Sequence, residues 1–286
     1  MNVKTELAGR ELSEFLQNKA LNLRRDIIKM TGVAGSGHPG GSLSATDVVA
    51  AIYFHALRHD SKRPKWKERD RFVLSKGHAA PVLYSALAES GYINRDVLWT
   101  LRQFGSPLQG HPDMKKVAGV EVSTGSLGQG LAIACGIALA GKLDKLDYKV
   151  YTVIGDGESQ EGEIWEAAML AAHYKLDNLI AITDYNDLQI DGRVSDIKDV
   201  CPVDDKWRAF GWHVICIDGH DMDQIVAALD EARQLKGKPV MIEAKTVKGK
   251  GVSFMEDMVE WHGVAPNQEQ MIAALKELGV DDWTSW

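Results

Sequence analysis

The sequence predicts an α/β fold, a mostly parallel sheet flanked by helices on both faces, and three observations carry that expectation. From Lys149 onward, runs such as Val150-Tyr151-Thr152-Val153-Ile154 and Leu179-Ile180-Ala181-Ile182 alternate with stretches of helical period. These runs have the length of strands, and their alternation with helices of these lengths implies a parallel sheet covered on both faces. Finally, Gly155-Asp156-Gly157 and Tyr185-Asn186 follow two successive runs, where open parallel sheets bind ligands, beyond the carboxyl ends of the strands.

Element by element, apolar Phe15, Leu16, Leu23, Ile27 and Ile28 predict a helix from Ser13 to Met30 that stops near Thr31-Gly32. A glycine-rich loop from Gly32 to Gly41 should follow, then a helix over Ser44 to Ala56, a strand over Arg71 to Leu74, and helices over Ala79 to Ser90 and Asn94 to Gln103. A second glycine-rich loop, Gly125 to Gly130, opens the small-residue helix Leu131 to Ala140. Beyond it the pattern is regular. Strands are expected at Lys149 to Ile154, Leu179 to Asp184, His213 to Ile217 and Pro239 to Lys245, with helices at Glu163 to His173, Asp205 to Phe210 and Met222 to Leu235. Neither a repeat nor a linker divides the chain, so residues 1–286 read as a single domain. Its last part, about 267–286, should be a helix and a tail whose Trp283 and Trp286 dock on a partner or fold back.

Composition narrows the function. Of 286 residues, 45% are hydrophobic and 26% charged, and no apolar run approaches the roughly 18 needed to span a bilayer. Met1 to Glu14 is charged and lacks the apolar stretch of a secretory signal, so a cytoplasmic address is expected. A net charge of −7 argues against a nucleic-acid partner, and Lys62 to Lys67 reads as a solvated basic loop. Cys135, Cys201 and Cys216 are too scattered for a disulfide framework and read as small apolar fillers.

The chemistry concentrates in loops. Asp156 and Asn186 lie one βαβ crossover apart, so both reach one point above adjacent strand ends. A carboxylate, an amide oxygen and a nearby backbone carbonyl suit a hard cation such as Mg²⁺ that takes its remaining oxygens from phosphate and water. The bland alternative is a tight turn whose aspartate caps the next helix. His38, His78, His111 and His262 all sit in Gly- or Pro-containing loops, where imidazoles donate to phosphate or sugar oxygens and exchange protons near neutrality. Gly35 to Gly40 formally matches a dinucleotide fingerprint with Asp60 as its acid, but the preceding segment has helical period, so a nicotinamide dehydrogenase is set aside.

The ordered motifs are Ser36-Gly37-His38-Pro39-Gly40, Asp70 to His78, Gly110-His111-Pro112, Thr124 to Gly130, Gly155-Asp156-Gly157 through Asn186, and Lys245 to Gly251. Taken together they resemble the amino-terminal section of transketolases, over about Asn18 to Pro266. The resemblance implies the diphosphate-binding domain of a thiamine diphosphate enzyme that transfers a two-carbon ketol unit between sugar phosphates. It implies that Asp156, Asn186 and the Leu188 carbonyl hold Mg²⁺, with Ca²⁺ or Mn²⁺ as substitutes, and that His78, Gly157 and His262 contact the diphosphate. Gly125, Ser126 and Leu127 would pack by the cofactor; His38, His111 and His262 would face the sugars and do the catalytic proton work. Glu161 matches a glutamate that links two active sites across the family's subunit interface.

Position 76 is Lys where many relatives have Asn, and position 126 is Ser where some have Pro. The family's later motifs, for the pyrimidine ring and the sugar phosphate, are absent from this chain. A split enzyme is therefore expected, with a carboxy-terminal subunit supplying the pyrimidine-binding domain in a heterotetramer. The alternatives are a transketolase for an unusual or sulfonated sugar, half of another thiamine diphosphate enzyme, such as a deoxyxylulose-phosphate synthase or the α-type chain of a 2-oxoacid dehydrogenase, and a silent binding module.

Overall fold

The computed structural model describes residues 7–284 and 286; residues 1–6, which include part of the charged amino-terminal stretch, and Ser285 lie outside the described residues. Helix α1 (Arg10–Ala34) buries Leu12, Leu16, Ala20, Leu23 and Ile27 along one stripe and ends on Gly35 in the left-handed conformation. It overruns the expected stop at Thr31-Gly32. Gly32 is there for approach, not termination: a Cβ on it would lie 2.5 Å from the Met271 sulfur. The supposed loop Gly32 to Gly41 thus contains the end of α1 and the start of α2 (Pro39–Ser44), which follows His38.

Next come α3 (Thr46–Ala51) with a π-helical turn over Ile52–Ala56, strand β1 (Arg71–Leu74) and α4 (Ala80–Glu89). The helix expected over Asn94 to Gln103 is only a 3₁₀ helix, Arg95–Thr100. The chain reverses there because Arg102 takes a positive φ and its N–H is donated to the Leu108 carbonyl at 2.8 Å. After α5 (Gln129–Leu143), the order is β2 (Val150–Gly155), α6 (Gly162–His173) and β3 (Leu179–Tyr185). A small hairpin that the sequence did not reveal follows, β4 (Leu188–Gln189) and β5 (Gly192–Arg193), then α7 (Val194–Lys198) and α8 (Val203–Ala209). The chain closes with β6 (His213–Asp218), α9 (Met222–Gln234), β7 (Val240–Lys245) and α10 (Gln268–Glu277).

Five strands form one parallel sheet in the order β1-β2-β3-β7-β6, and β4-β5 is a separate antiparallel pair. Side chains alternate between its faces, with period two along each strand. Tyr151, Val153, Ile180 and Ile182 join the core built with α1, α3, α4, α9 and α10, while Val150, Ile154, Leu179 and Ala181 join the core under α5, α6 and Trp207 of α8.

Three smaller expectations are resolved. Lys62, Arg63, Lys65 and Lys67 are exposed, as a solvated loop requires. Only Cys135 is a buried filler; Cys201 and Cys216 are exposed, because one lies in a loop and the other on the edge strand β6. Trp286 folds back: its indole N–H is donated to Asp26 at 3.1 Å, and its ring lies against Arg95 and Arg25. Among the described residues no helix is long and apolar enough to cross a membrane.

Candidate functional site

Parallel pairing fixes where the loops go. Gly155 of β2 is in register with Asp184 of β3, and Asp184 with Ala244 of β7. The segments after β1, β2, β3 and β7 therefore emerge side by side at the carboxyl end of the sheet. They surround a cavity of about 360 Å³, within the size range of small-molecule sites. His38, His78, Gly125, Leu127, Asp156, Gly157, Glu161, Asn186, Leu188 and His262 all line it. Ser126 and His111 do not: Ser126 is exposed, and His111 is an exposed ring beside Gly125.

Three histidines form one cluster. The ring centroids of His38 and His78 are 5.3 Å apart, those of His38 and His262 5.7 Å, and those of His78 and His262 5.2 Å. Burial, helped by neighbouring cations, depresses all three: His38 to about 4 through burial and Arg102, and His262 to about 3 through burial and Lys248. The rings are thus neutral at pH 7 in the ligand-free chain, below the titration near neutrality that their loop positions suggested. A polyanion entering the cavity would raise them again.

Four residues that the loop motifs did not single out as ligands complete the site. Lys76 is buried, pairs with buried Asp184 and donates to the Gly41 carbonyl at 2.8 Å. Burial disfavours the Asp184 charge, but Lys76, Ser44 and Thr246 outweigh that and hold its carboxyl below the usual range. Lys248 donates to the Leu188 carbonyl at 2.6 Å and meets His262 Nδ1 at 2.9 Å, with burial and Lys76 lowering its ammonium to about 8. The fourth, Glu158, is buried and ties three loops together: Ser75 Oγ, Gly128 N–H and Gly155 N–H all donate to it. These loops crowd so closely that a Cβ on Gly77 would lie 2.6 Å from Thr124 Oγ1. Only their folded proximity reveals Glu158 and Asp184; the run Lys245 to Gly251 was the one sequence signal for Lys248.

The donor set fits a divalent cation of the hard kind. Asp156 is buried, and burial together with Asp184 pushes its carboxyl up to about 6 although the Gly157 and Asp187 N–H groups donate to it, so an entering cation would favour its charged form. Asn186 Oδ1 accepts the Leu188 N–H at 3.2 Å, and Asp156, Asn186 and Leu188 all line the cavity. Among the described residues no group of three His, Cys, Asp or Glu side chains could hold a metal ion. The available ligands are one carboxylate, one amide oxygen and one carbonyl, a set that needs phosphate oxygens to complete an octahedron.

The family described as Transketolase, thiamine diphosphate binding domain matches residues 17–285. The 6-deoxy-6-sulfo-D-fructose transketolase subunit SqwG of Clostridium sp. (strain MSTE9) is 50% identical over 263 residues, covering 92% of this chain and 96% of that protein. An apulose-4-phosphate transketolase subunit of Phocaeicola vulgatus is 43% identical over 265 residues, covering 93% and 94%. The crystal structure of transketolase from Campylobacter jejuni superposes with a TM-score of 0.89 at 39% identity, over 94% of this chain but only 43% of that one.

Proposed function

The chain belongs to the transketolase family as its thiamine diphosphate-binding section, and from that membership we propose that it is the amino-terminal subunit of a split transketolase. The observation that carries the reading is the convergence of Asp156, Asn186 and the Leu188 carbonyl with Lys76, Lys248, His78 and His262 around one cavity. Oxygen ligands for a cation and cationic or neutral N–H donors for a polyanion are what a metal diphosphate needs. Asp156, Asn186 and Leu188 would hold Mg²⁺; Lys248, His78, His262 and the Gly157 N–H would hold the diphosphate. When bound, thiamine diphosphate supplies the carbon nucleophile and electron sink for breaking and making the ketose carbon–carbon bond.

The chain's own residues orient substrate and move protons. His38 and His262 face the cavity as neutral rings; Lys248 Nζ donates to His262 Nδ1, so its Nε2 N–H is the donor left for a sugar hydroxyl, and Nδ1 would be open to a proton only once Lys248 turns to the diphosphate. His111, at the rim beside Gly125, would join them only from outside the cavity. Arg102 stands by this rim: it donates to Ser36 Oγ at 2.9 Å and lies 3.4 Å from His38 Nδ1. Glu161 and Leu127 are exposed at the cavity mouth, open to a partner chain. A carboxy-terminal subunit would supply the pyrimidine-binding domain, in a cytoplasmic heterotetramer.

The anionic group of the natural donor admits a second reading, because the Clostridium relative is named for a sulfonated ketose and the Phocaeicola relative for a sugar phosphate. Mixing the chain with its carboxy-terminal partner, Mg²⁺ and thiamine diphosphate should produce two-carbon transfer from a ketose to an aldose acceptor, with neither chain active alone. Parallel assays with ketose phosphate and 6-sulfo ketose donors separate the substrates. Absence of transfer from both, with cofactor bound, would overturn the assignment.

A further inference from the structure

His220 lies in the turn between β6 and α9, outside the cavity lining, yet it is wired to the cavity. Its Nε2 is 2.8 Å from the Val247 backbone N–H, and its Nδ1 is 2.7 Å from Asp47 Oδ2. A backbone N–H can only donate, so Nε2 must be bare and Nδ1 carries the hydrogen given to Asp47. The two partners thereby fix one neutral tautomer.

Asp47 is itself held. Buried on α3, it receives Arg24 Nη1 at 2.9 Å and Nη2 at 2.6 Å, and the same guanidinium donates through Nε to the Lys250 carbonyl at 3.0 Å. Burial opposes the Asp47 charge, but Arg24 and His220 outweigh it and keep the carboxyl at about 2. Backbone groups of Val247 and Lys250 are therefore tied to one Arg24–Asp47–His220 triad. Between them stands Lys248, whose ammonium reaches the Leu188 carbonyl and His262 inside the cavity.

We propose that His220 is a positioning residue: as a neutral imidazole bridging Asp47 and the Val247 N–H, it fixes the Thr246–Gly251 loop in the place that delivers Lys248 to the diphosphate end of the site. The inference rests on the functional reading above for the word diphosphate, and on geometry alone for the loop. Outer residues that orient a binding group typically change affinity by about 10–100-fold when removed.

The test uses the assembled two-subunit complex. His220→Ala should raise the half-saturating thiamine diphosphate concentration by at least about tenfold, with a smaller change in kcat at saturation. In the cofactor-free complex, hydrogen–deuterium exchange should quicken in the peptide spanning 246–251 and not elsewhere. His220→Gln, whose amide carries both an acceptor and a donor, should recover most of each effect, whereas His220→Asn, too short to reach Val247, should not. In a Lys248→Met background, His220→Ala should add little further loss, since both changes act through one group. Fully additive losses, unchanged exchange in the 246–251 peptide, or equal effects of Gln and Asn would overturn the proposal. If His220→Ala does not assemble, the Gln and Asn variants carry the comparison. Should wild-type complex bind no thiamine diphosphate, the functional reading falls, while the exchange measurement still decides the role of His220.

Discussion

Lys248 Nζ lies 2.6 Å from the carbonyl oxygen of Leu188, the backbone acceptor proposed for the divalent cation. An ammonium and a cation repel one another at one oxygen, so a bound ion would push Lys248 aside, and the nearest compensation would be a diphosphate that takes both charges. Cation and diphosphate binding should therefore be coupled. Lys248→Met, which removes the ammonium but keeps the stem, should weaken thiamine diphosphate binding roughly 10–100-fold, the worth of one charge-assisted hydrogen bond. It should also tighten binding of Mn²⁺ alone, read by electron paramagnetic resonance. Weaker Mn²⁺ binding in that variant would refute the competition.

The same two groups set a pH window. Burial and Asp184 raise Asp156 to about 6, so protons displace the cation as pH falls through that value. Burial and Lys76 lower Lys248 to about 8, so its ammonium is lost as pH rises past it. Affinity for the magnesium–cofactor pair should be greatest between these limits and fall on both sides, which titration calorimetry across pH can follow. Stability of the cofactor-free chain has its own sign. Because the folded Asp156 titrates above its unfolded value, its contribution is present at low pH and is lost as pH rises through about 6. Cation and cofactor should accordingly raise the melting temperature more at pH 7 than at about pH 5.

The alternating strands, the Asp156 to Asn186 crossover and the loop histidines were legible because each depends on local sequence: period, turn chemistry, or a fixed separation across one helix. Lys76 and Lys248 were visible within their motifs, but their pairing with Asp184 and His262 was not, since those contacts span 108 and 14 positions. Gly32 misled for the same reason. Its neighbour Met271 lies on α10 at the far end of the chain, and only that contact turns an apparent helix stop into a packing glycine. Long-range proximity, not local propensity, also explains the missed role of Glu158.

That role yields a stability prediction. Glu158 accepts Gly128 N–H at 2.9 Å and Gly155 N–H at 2.9 Å, together with Ser75 Oγ, so removing it leaves three donors without their acceptor. Glu158→Ala should cost about 3 kcal/mol or more, a loss of roughly 6–12 °C in melting temperature for a chain of this size. Glu158→Gln, which retains one carbonyl oxygen, should cost less. Scanning calorimetry of the two variants checks the order, and equal melting temperatures would exclude the carboxylate as the tie between these loops.

Trp286 offers the last test, because it is bound through its ring, its indole N–H and its carbonyl at once. Arg95 and Arg25 lie 4.4 Å and 4.8 Å from its ring, the indole donates to Asp26 at 3.1 Å, and the carbonyl accepts from Lys29 at 2.5 Å. Burial raises the Asp26 carboxyl despite Arg95, so each donor it loses is felt. Trp286→Ala removes two cation–π contacts and one donor to a buried carboxylate and should cost about 2–3 kcal/mol, measurable by urea unfolding. Trp286→Phe keeps the ring over the arginines but not the N–H, and should recover about half of that. None of these residues lines the cavity, so the thiamine diphosphate half-saturation of both variants should match the wild type; a large change would show that the tail reports to the cavity.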